Sequence, residues 1–280
     1  MTVVIRQGQL QPAALKLKPV VWRLQPESFK RALQYVILPL AILVVWQGLA
    51  QAGLIQPLIL PSPTRVAATL WSMLVSGQLE KHALTSILRV LQGFGLAALL
   101  GIVLGMAIGL SSTLDRTTDL AVQVLKPIPP LAWIPLAILW FGIDEPSKIF
   151  IIFLGAFFPI LLNVITGIRN TDSKFVELAK ILEVSRWKFI RQVVIPGALP
   201  AIMTGLRVGL ACAWMCVVAA EMIAASSGVG YLIMDARQLS QTDVVVVGMI
   251  VIGVIGKIMD DLIRRLEHRL IGWRVSYQGE

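Results

Sequence analysis

Charge is scarce in this chain. Asp, Glu, Lys and Arg make up only 15% of its 280 residues, hydrophobic residues make up 56%, and the mean hydropathy is +0.78. That balance excludes an ordinary soluble domain and places the chain in the membrane class. Cysteine is scarcer still. Cys212 and Cys216 share one apolar run and stand one helical turn apart, poor geometry for a disulfide, which leaves them as small apolar fillers. The two histidines, His82 and His268, are distant in sequence, and no Cys/His spacing suits a metal. A phosphate loop is missing as well. The run Gly253…Gly256-Lys257 has Val251 where the first glycine belongs and Ile258 where Ser or Thr should follow the lysine. No enzyme constellation survives, so the chain is expected to be no enzyme and to hold no cofactor or metal of its own. The first 31 residues lack an apolar stretch with a small-residue cleavage site, so no secretory signal is expected.

What the chain does have is long apolar runs. Stretches near 33–53, 86–110, 119–141, 148–168, 197–225 and 243–263 each approach the ~20 apolar residues that cross a bilayer. The fold class is therefore all-α and membrane-spanning, with about six spans, preceded by a basic leader at 1–31 and forming one transmembrane domain over 32–280. The net charge of +9 is concentrated where membrane topology wants it, which argues against nucleic acid as the partner. Arg6, Lys16, Lys18, Arg23, Lys30 and Arg31 lie in the leader, and Arg264, Arg265, Arg269 and Arg274 in the tail. Arg169, Lys174, Lys180, Arg186, Lys188 and Arg191 lie between the fourth and fifth runs. The alternate connections hold few: Arg65 and Lys81, then Lys148, then Arg237. By the positive-inside rule, both termini and the 169–196 loop are expected in the cytoplasm.

That loop, RNTDSKFVELAKILEVSRWKFIRQVVIP, is the most informative stretch. Phe175, Leu178, Ala179 and Leu182 recur at helical spacing and predict a short amphipathic helix. Trp187, Ile190 and Val194 predict a second one, with Ser185 as its N-cap. Neither is long enough to span a bilayer. A stiff apolar-faced knob of this kind in a membrane protein's loop suits the docking of a soluble partner.

Within the spans, Gly101, Gly105 and Gly109 bare one helix face for close packing. Pro127, Pro129 and Pro130 cannot sit in an unbroken helix, so the third span is expected to break there, as part of a conduit, as a hinge, or as a packing break near a helix start. Arg207, Trp214 and Glu221 follow at intervals of seven and share a stripe. Arg207 and Trp214 supply a cation and an aromatic surface for an anion path, and Arg207 is equally suited to snorkelling or to pairing with a neighbouring helix. Glu221 reads as a structural hydrogen-bonding group. Asn163 suits either helix adhesion or a path, Lys126 can snorkel from just before the proline break, and Lys257 and Asp261 have i, i+4 spacing for an ion pair. Val66, Leu70, Trp71, Met73 and Leu74 predict a short surface helix after Pro63. The segment around Gly228 and Gly230 is expected to form a second outer piece, a candidate lid.

The 169–196 loop resembles the EAA loop of bacterial ABC importer permeases: Glu-Ala-Ala, three residues, Gly, nine residues, Ile-x-Leu-Pro. Here Glu177-Leu178-Ala179 is followed by Glu183 and by Val193-Val194-Ile195-Pro196, so Glu183 stands where the family has the turn-forming Gly. LPSP at 60–63, SGQLEKHALTSILRVLQGF at 76–94, IPPLAWIPLAILWFGIDEPSKIF at 128–150 and PGALPAIMTGLRVGL at 196–210 are similar to the nitrate/sulfonate/taurine branch. GYLIMDARQLSQTDVVVVGMI at 230–250 and RRLEHRLIGW near the end look most like aliphatic sulfonate permeases.

The resemblance implies the binding-protein-dependent ABC importer permease fold in the bacterial inner membrane. It further implies a partnership with a second copy of the chain, two cytoplasmic ATP-binding cassette subunits that hold ATP and Mg, and an extracytoplasmic substrate-binding protein. Aliphatic sulfonates are the expected cargo. Taurine, nitrate, bicarbonate or a pyrimidine carried by the same machinery are the alternatives, and a partner-free secondary transporter is a further one. The residues expected to couple to the ATPase are Phe175, Glu177, Leu178, Ala179, Leu182, Glu183 and Trp187. Those expected to line the path are Trp133, Asn163, Arg207 and Trp214.

Overall fold

The structure is a computed structural model that describes residues 26–271 of the chain. The basic residues before 26 and Arg274 in the tail lie outside the described residues. The chain divides into two units, one ending at Gly48 and one running from Leu49 onward. α1 (Pro26–Gln51), with Pro39 inside it, starts before the expected boundary at 32 and supplies all the described residues of the first unit, its last three residues belonging to the second. Its apolar stretch is Ile37–Gln51.

The described residues of the second unit form helices joined by short turns and loops, with no strand among them. α2 (Pro63–Val75) begins at Ser62, whose hydroxyl accepts the Arg65 N–H, and it carries the short surface helix expected after Pro63. α3 (Gln78–Leu110) is the second span. α4 (Ser112–Leu125) follows, capped by the Ser111 hydroxyl on the Leu114 N–H. The prolines then do what their chemistry dictates. After residues 126–129 the chain resumes as a 3-10 turn (Pro130–Trp133) and α5 (Ile134–Phe141), bent by 84° from α4. α6 (Glu145–Arg169) is the fourth span. α7 (Ser173–Ile181) is the short amphipathic helix expected in the loop.

The second loop helix is not separate. α8 (Arg186–Phe189) passes through a π-helical turn (Ile190–Val194) directly into α9 (Ile195–Ala224), making one 39-residue rod, Arg186–Ala224. Ser185 precedes α8 in an extended conformation, but its side chain makes no cap bond. The wide turn has a local cause: Pro196 has no N–H for the carbonyl four residues back, and its ring crowds that carbonyl. α10 (Val229–Gln238) and α11 (Thr242–Leu270) complete the unit. Among the described residues four helices are long and apolar enough to cross a membrane, and the bent α4–α5 pair makes a fifth candidate span.

The core is the α3–α6–α9 slab, in which α6 is sandwiched. The stripe on α3 is longer than the three glycines: Gly93, Ala97, Gly101 and Gly105 are buried on one row and Gly109 is half-buried. A Cβ at Gly101 would come within 2.9 Å of Ile160, at Gly105 within 2.7 Å of Val164, and at Gly109 within 3.1 Å of Ile168. Gly205 and Gly209 of α9 meet Asn163 and Ile160 from the other side at 2.7 and 2.8 Å by the same measure. The wholly buried Ile160 therefore packs between glycines of two helices. Close backbone approach through small residues is what holds helices together where the solvent is as apolar as the side chains.

Candidate functional site

Three groups of residues stand out: the α7 segment, the cleft at the proline break, and a charged cluster at the α10 end of the bundle.

α7 starts where the Asp172 carboxylate accepts the Lys174 N–H at 2.9 Å. Its apolar side chains are not covered. Phe175 is 53% exposed, Leu178 50% and Leu182 64%, and Ile181, at 77%, joins the same face. Ala179 is half-buried and Glu177 points to solvent. The helix ends in a Schellman turn: the Val184 N–H reaches the Ala179 carbonyl at 2.9 Å, and between them Glu183 adopts φ +50°. Glu183 thus keeps the left-handed backbone that suits glycine, at a cost glycine would not incur. Trp187, 71% exposed, stands at the foot of the α9 rod.

The path candidates divide. Trp133 is half-buried in the 3-10 turn, with its ring 6.5 Å from that of Trp140. Asn163 donates to the Pro159 carbonyl at 2.8 Å and backs onto Gly205, so it sits in the α6–α9 seam. Arg207 and Trp214 face α11. Arg207 binds Asp260 through Nε–Oδ1 at 3.0 Å and Nη2–Oδ2 at 3.4 Å, with Glu267 at 4.0 Å. Trp214 is buried and its Nε1–H points at Met259 Sδ, 3.2 Å away. Their stripe is an interhelical contact with partners in place, the pairing with a neighbouring helix that is one of the readings of Arg207. The i, i+4 pair Lys257–Asp261 does form, and Arg169 pairs with Asp115 to tie α6 to α4.

The proline break opens a cleft of about 330 Å³ between residues 126–131, α6 and α9. Its walls are apolar, from Ile128, Pro130, Phe158, Met215 and Cys216, and Lys126 is the one cation among the described residues that line it. The α9 residues that line it lie off the Arg207–Trp214 stripe.

The third group escaped the sequence reading apart from Glu221. Arg89, 3% exposed, donates to Glu145 through Nε at 2.6 Å and Nη2 at 2.5 Å, and to Glu221 through Nη1 at 2.8 Å. Ser86 Oγ lies 2.8 Å from Glu221. Lys148, also buried, donates to the Ile143 carbonyl at 3.1 Å. The signal was available: Arg89 interrupts an apolar run, and an ionisable residue within a span marks a function or a partner.

With this geometry in place, comparison with known proteins is informative. A family model described as "Binding-protein-dependent transport system inner membrane component" matches residues 97–272. The Bacillus subtilis (strain 168) putative aliphatic sulfonates transport permease protein SsuC is 44% identical over 244 residues, covering 87% of this chain and 88% of that protein. The Escherichia coli (strain K12) taurine transport system permease protein TauC is 37% identical, covering 85% and 88%. Among solved structures, an inward-facing form of the MetNI methionine ABC transporter superposes with a TM-score of 0.55 at 17% identity, covering 66% of this chain and 94% of that one. That last likeness concerns the fold alone.

Proposed function

The chain belongs to the binding-protein-dependent transport system inner membrane component family, and from that premise we propose that it forms the translocation path of an ATP-driven importer for aliphatic sulfonates. The observation that carries the ATP-driven part is α7. Phe175, Leu178 and Ile181 project from a helix of 9 residues, with Leu182 just past its end, and such a helix is far too short to sit in lipid as a span. A groove on a soluble ATPase covers such a face, and ATP with Mg then belongs to that subunit. Two copies of this chain, two ATPase subunits and an extracytoplasmic binding protein make up the assembly, with the chain's termini and the 169–196 loop on the ATPase side.

The cargo rests on the relatives' names and on chemistry. A sulfonate is a fixed monoanion at physiological pH, so its path needs mild positive potential and no titrating partner. Lys126 beside an apolar cleft is consistent with that requirement. Tight binding in the membrane would hinder release, so recognition falls mainly to the soluble binding protein.

The test is reconstitution of the chain in vesicles with its cognate ATPase and binding protein. Uptake of a labelled alkanesulfonate, taurine and nitrate is then measured with and without ATP. ATP-dependent uptake of the alkanesulfonate above the other two is expected. Uptake of nitrate alone sinks the sulfonate assignment, and uptake without any ATPase sinks the importer reading.

A further inference from the structure

α10 looks from sequence like a lid, yet each of its first amides is taken by a side chain from a spanning helix. The Gly228 N–H donates to His82 Nδ1 at 3.1 Å, the Val229 N–H to Ser86 Oγ at 2.9 Å, and the Gly230 N–H to Glu221 Oε2 at 2.9 Å. His82 and Ser86 belong to α3 and Glu221 to α9. Arg89 closes the ring: its Nη1 donates to Glu221 and also to the Ser227 carbonyl, at 2.8 and 2.6 Å.

The backbone is shaped for this contact. Gly228 has φ +113°, and a Cβ there would overlap the Glu221 carboxylate. A Cβ at Gly230 would lie 2.5 Å from the Val218 carbonyl and 2.8 Å from Glu221 Cβ. On its other face α10 buries Leu232, Ile233 and Ala236, and Ile233 packs on Gly248 of α11. A mobile segment is marked by few buried contacts and exposed backbone hydrogen bonds; α10 has the opposite. A buried carboxylate stripped of Arg89 would be an uncompensated charge, so the ring holds or fails as a unit.

We propose that Ser86, Arg89 and Glu221 are positioning residues that keep α10 clamped to the α3–α9 pair throughout transport, so that this end of the path opens by displacement of the whole bundle and not by α10 swinging out. The proposal rests on the transport reading above.

The test starts from Cys212→Ala/Cys216→Ala protein in the reconstituted complex. Cysteines are placed at His82 and Tyr231, whose rings lie 6.1 Å apart, and joined by a short bis-methanethiosulfonate linker. Uptake within twofold of the unlinked protein is expected; loss of uptake that reduction restores overturns the clamp. Absence of uptake in the Cys212→Ala/Cys216→Ala parent, which keeps His82 and Tyr231, sinks the transport reading instead. For that case the Val229 and Gly230 amides supply an independent readout, since they should exchange slowly with and without ATP, and fast exchange in either state overturns the clamp. Glu221→Gln separates positioning from folding. It should leave ATP hydrolysis within twofold while uptake per ATP falls at least tenfold, and an unchanged ratio in an assembled complex counts against the proposal. If that variant fails to assemble, the linker and exchange measurements decide.

Discussion

At the scale of single residues, Glu183 and Arg207 carry the clearest lessons. Glu183 occupies a position where the EAA pattern has glycine, and its φ of +50° shows that the turn kept its shape while the residue changed. Left-handed backbone costs an L-residue roughly 1 kcal/mol more than glycine. Glu183→Gly should therefore stabilise the turn by about 1 kcal/mol and slow exchange of the Val184 amide about fivefold. Unchanged exchange would mean the turn is held by contacts outside the chain. Arg207 is read differently once its partners are known. Its side chain is 36% exposed and paired with Asp260, so the bond is screened and contributes no more than about 1 kcal/mol. Arg207→Gln should leave uptake within about threefold of the parent and should couple to Asp260→Asn in a double-mutant cycle. A tenfold loss of uptake that Asp260→Asn does not share would return Arg207 to the path.

At the scale of elements, periodicity was legible and continuity was not. The i, i+3, i+4, i+7 pattern located α7, because only its own face decides that it is helical. The same logic read α8 as a separate helix, whereas the structure carries it into α9 through a π turn, since whether a helix stops near Pro196 depends on whether its backbone can widen locally. The α7 face yields a docking prediction. Phe175→Asp places a charge in the face that would enter the ATPase groove and should weaken assembly by several kcal/mol, to roughly the level at which pull-downs lose the ATPase. Retention equal to the parent's would remove α7 from the interface. The α3 stripe yields a packing prediction. A Cβ alone at Gly105 would meet Val164 at 2.7 Å, so Gly105→Leu must part α3 from α6 at a cost of at least about 3 kcal/mol. Folded protein eluting in detergent like the parent would contradict this.

At the scale of the whole molecule, the distribution of charge sets the expected topology. Lys174 lies in the basic loop at one end of α6, and Ser240 lies between α10 and α11. In a Cys212→Ala/Cys216→Ala background, a cysteine at Ser240 should react with an impermeant thiol reagent outside intact spheroplasts and one at Lys174 should not. The reverse pattern overturns the orientation. The α3–α6–α9 slab, with α10 tied to it, is the part of the molecule expected to move as one body, because its seams are closed by glycines against branched side chains with no slack for sliding.

By itself the sequence determined what the bilayer and the helix period select: a membrane-spanning helical chain, the break at residues 127–130, the α7 helix and the close-packing glycines. Each depends on local chemistry, namely run length, missing N–H groups, periodicity or absent Cβ atoms. Tertiary structure alone decided which charges meet. Arg89, Glu145 and Glu221 lie 56 and 132 residues apart along the chain, counted from Arg89, and nothing local distinguishes a charge that lines a path from one that ties helices together. Arg207 and Glu221 share a stripe by spacing, yet one pairs with α11 and the other secures α10, because the neighbouring helix supplies a different partner at each end of α9.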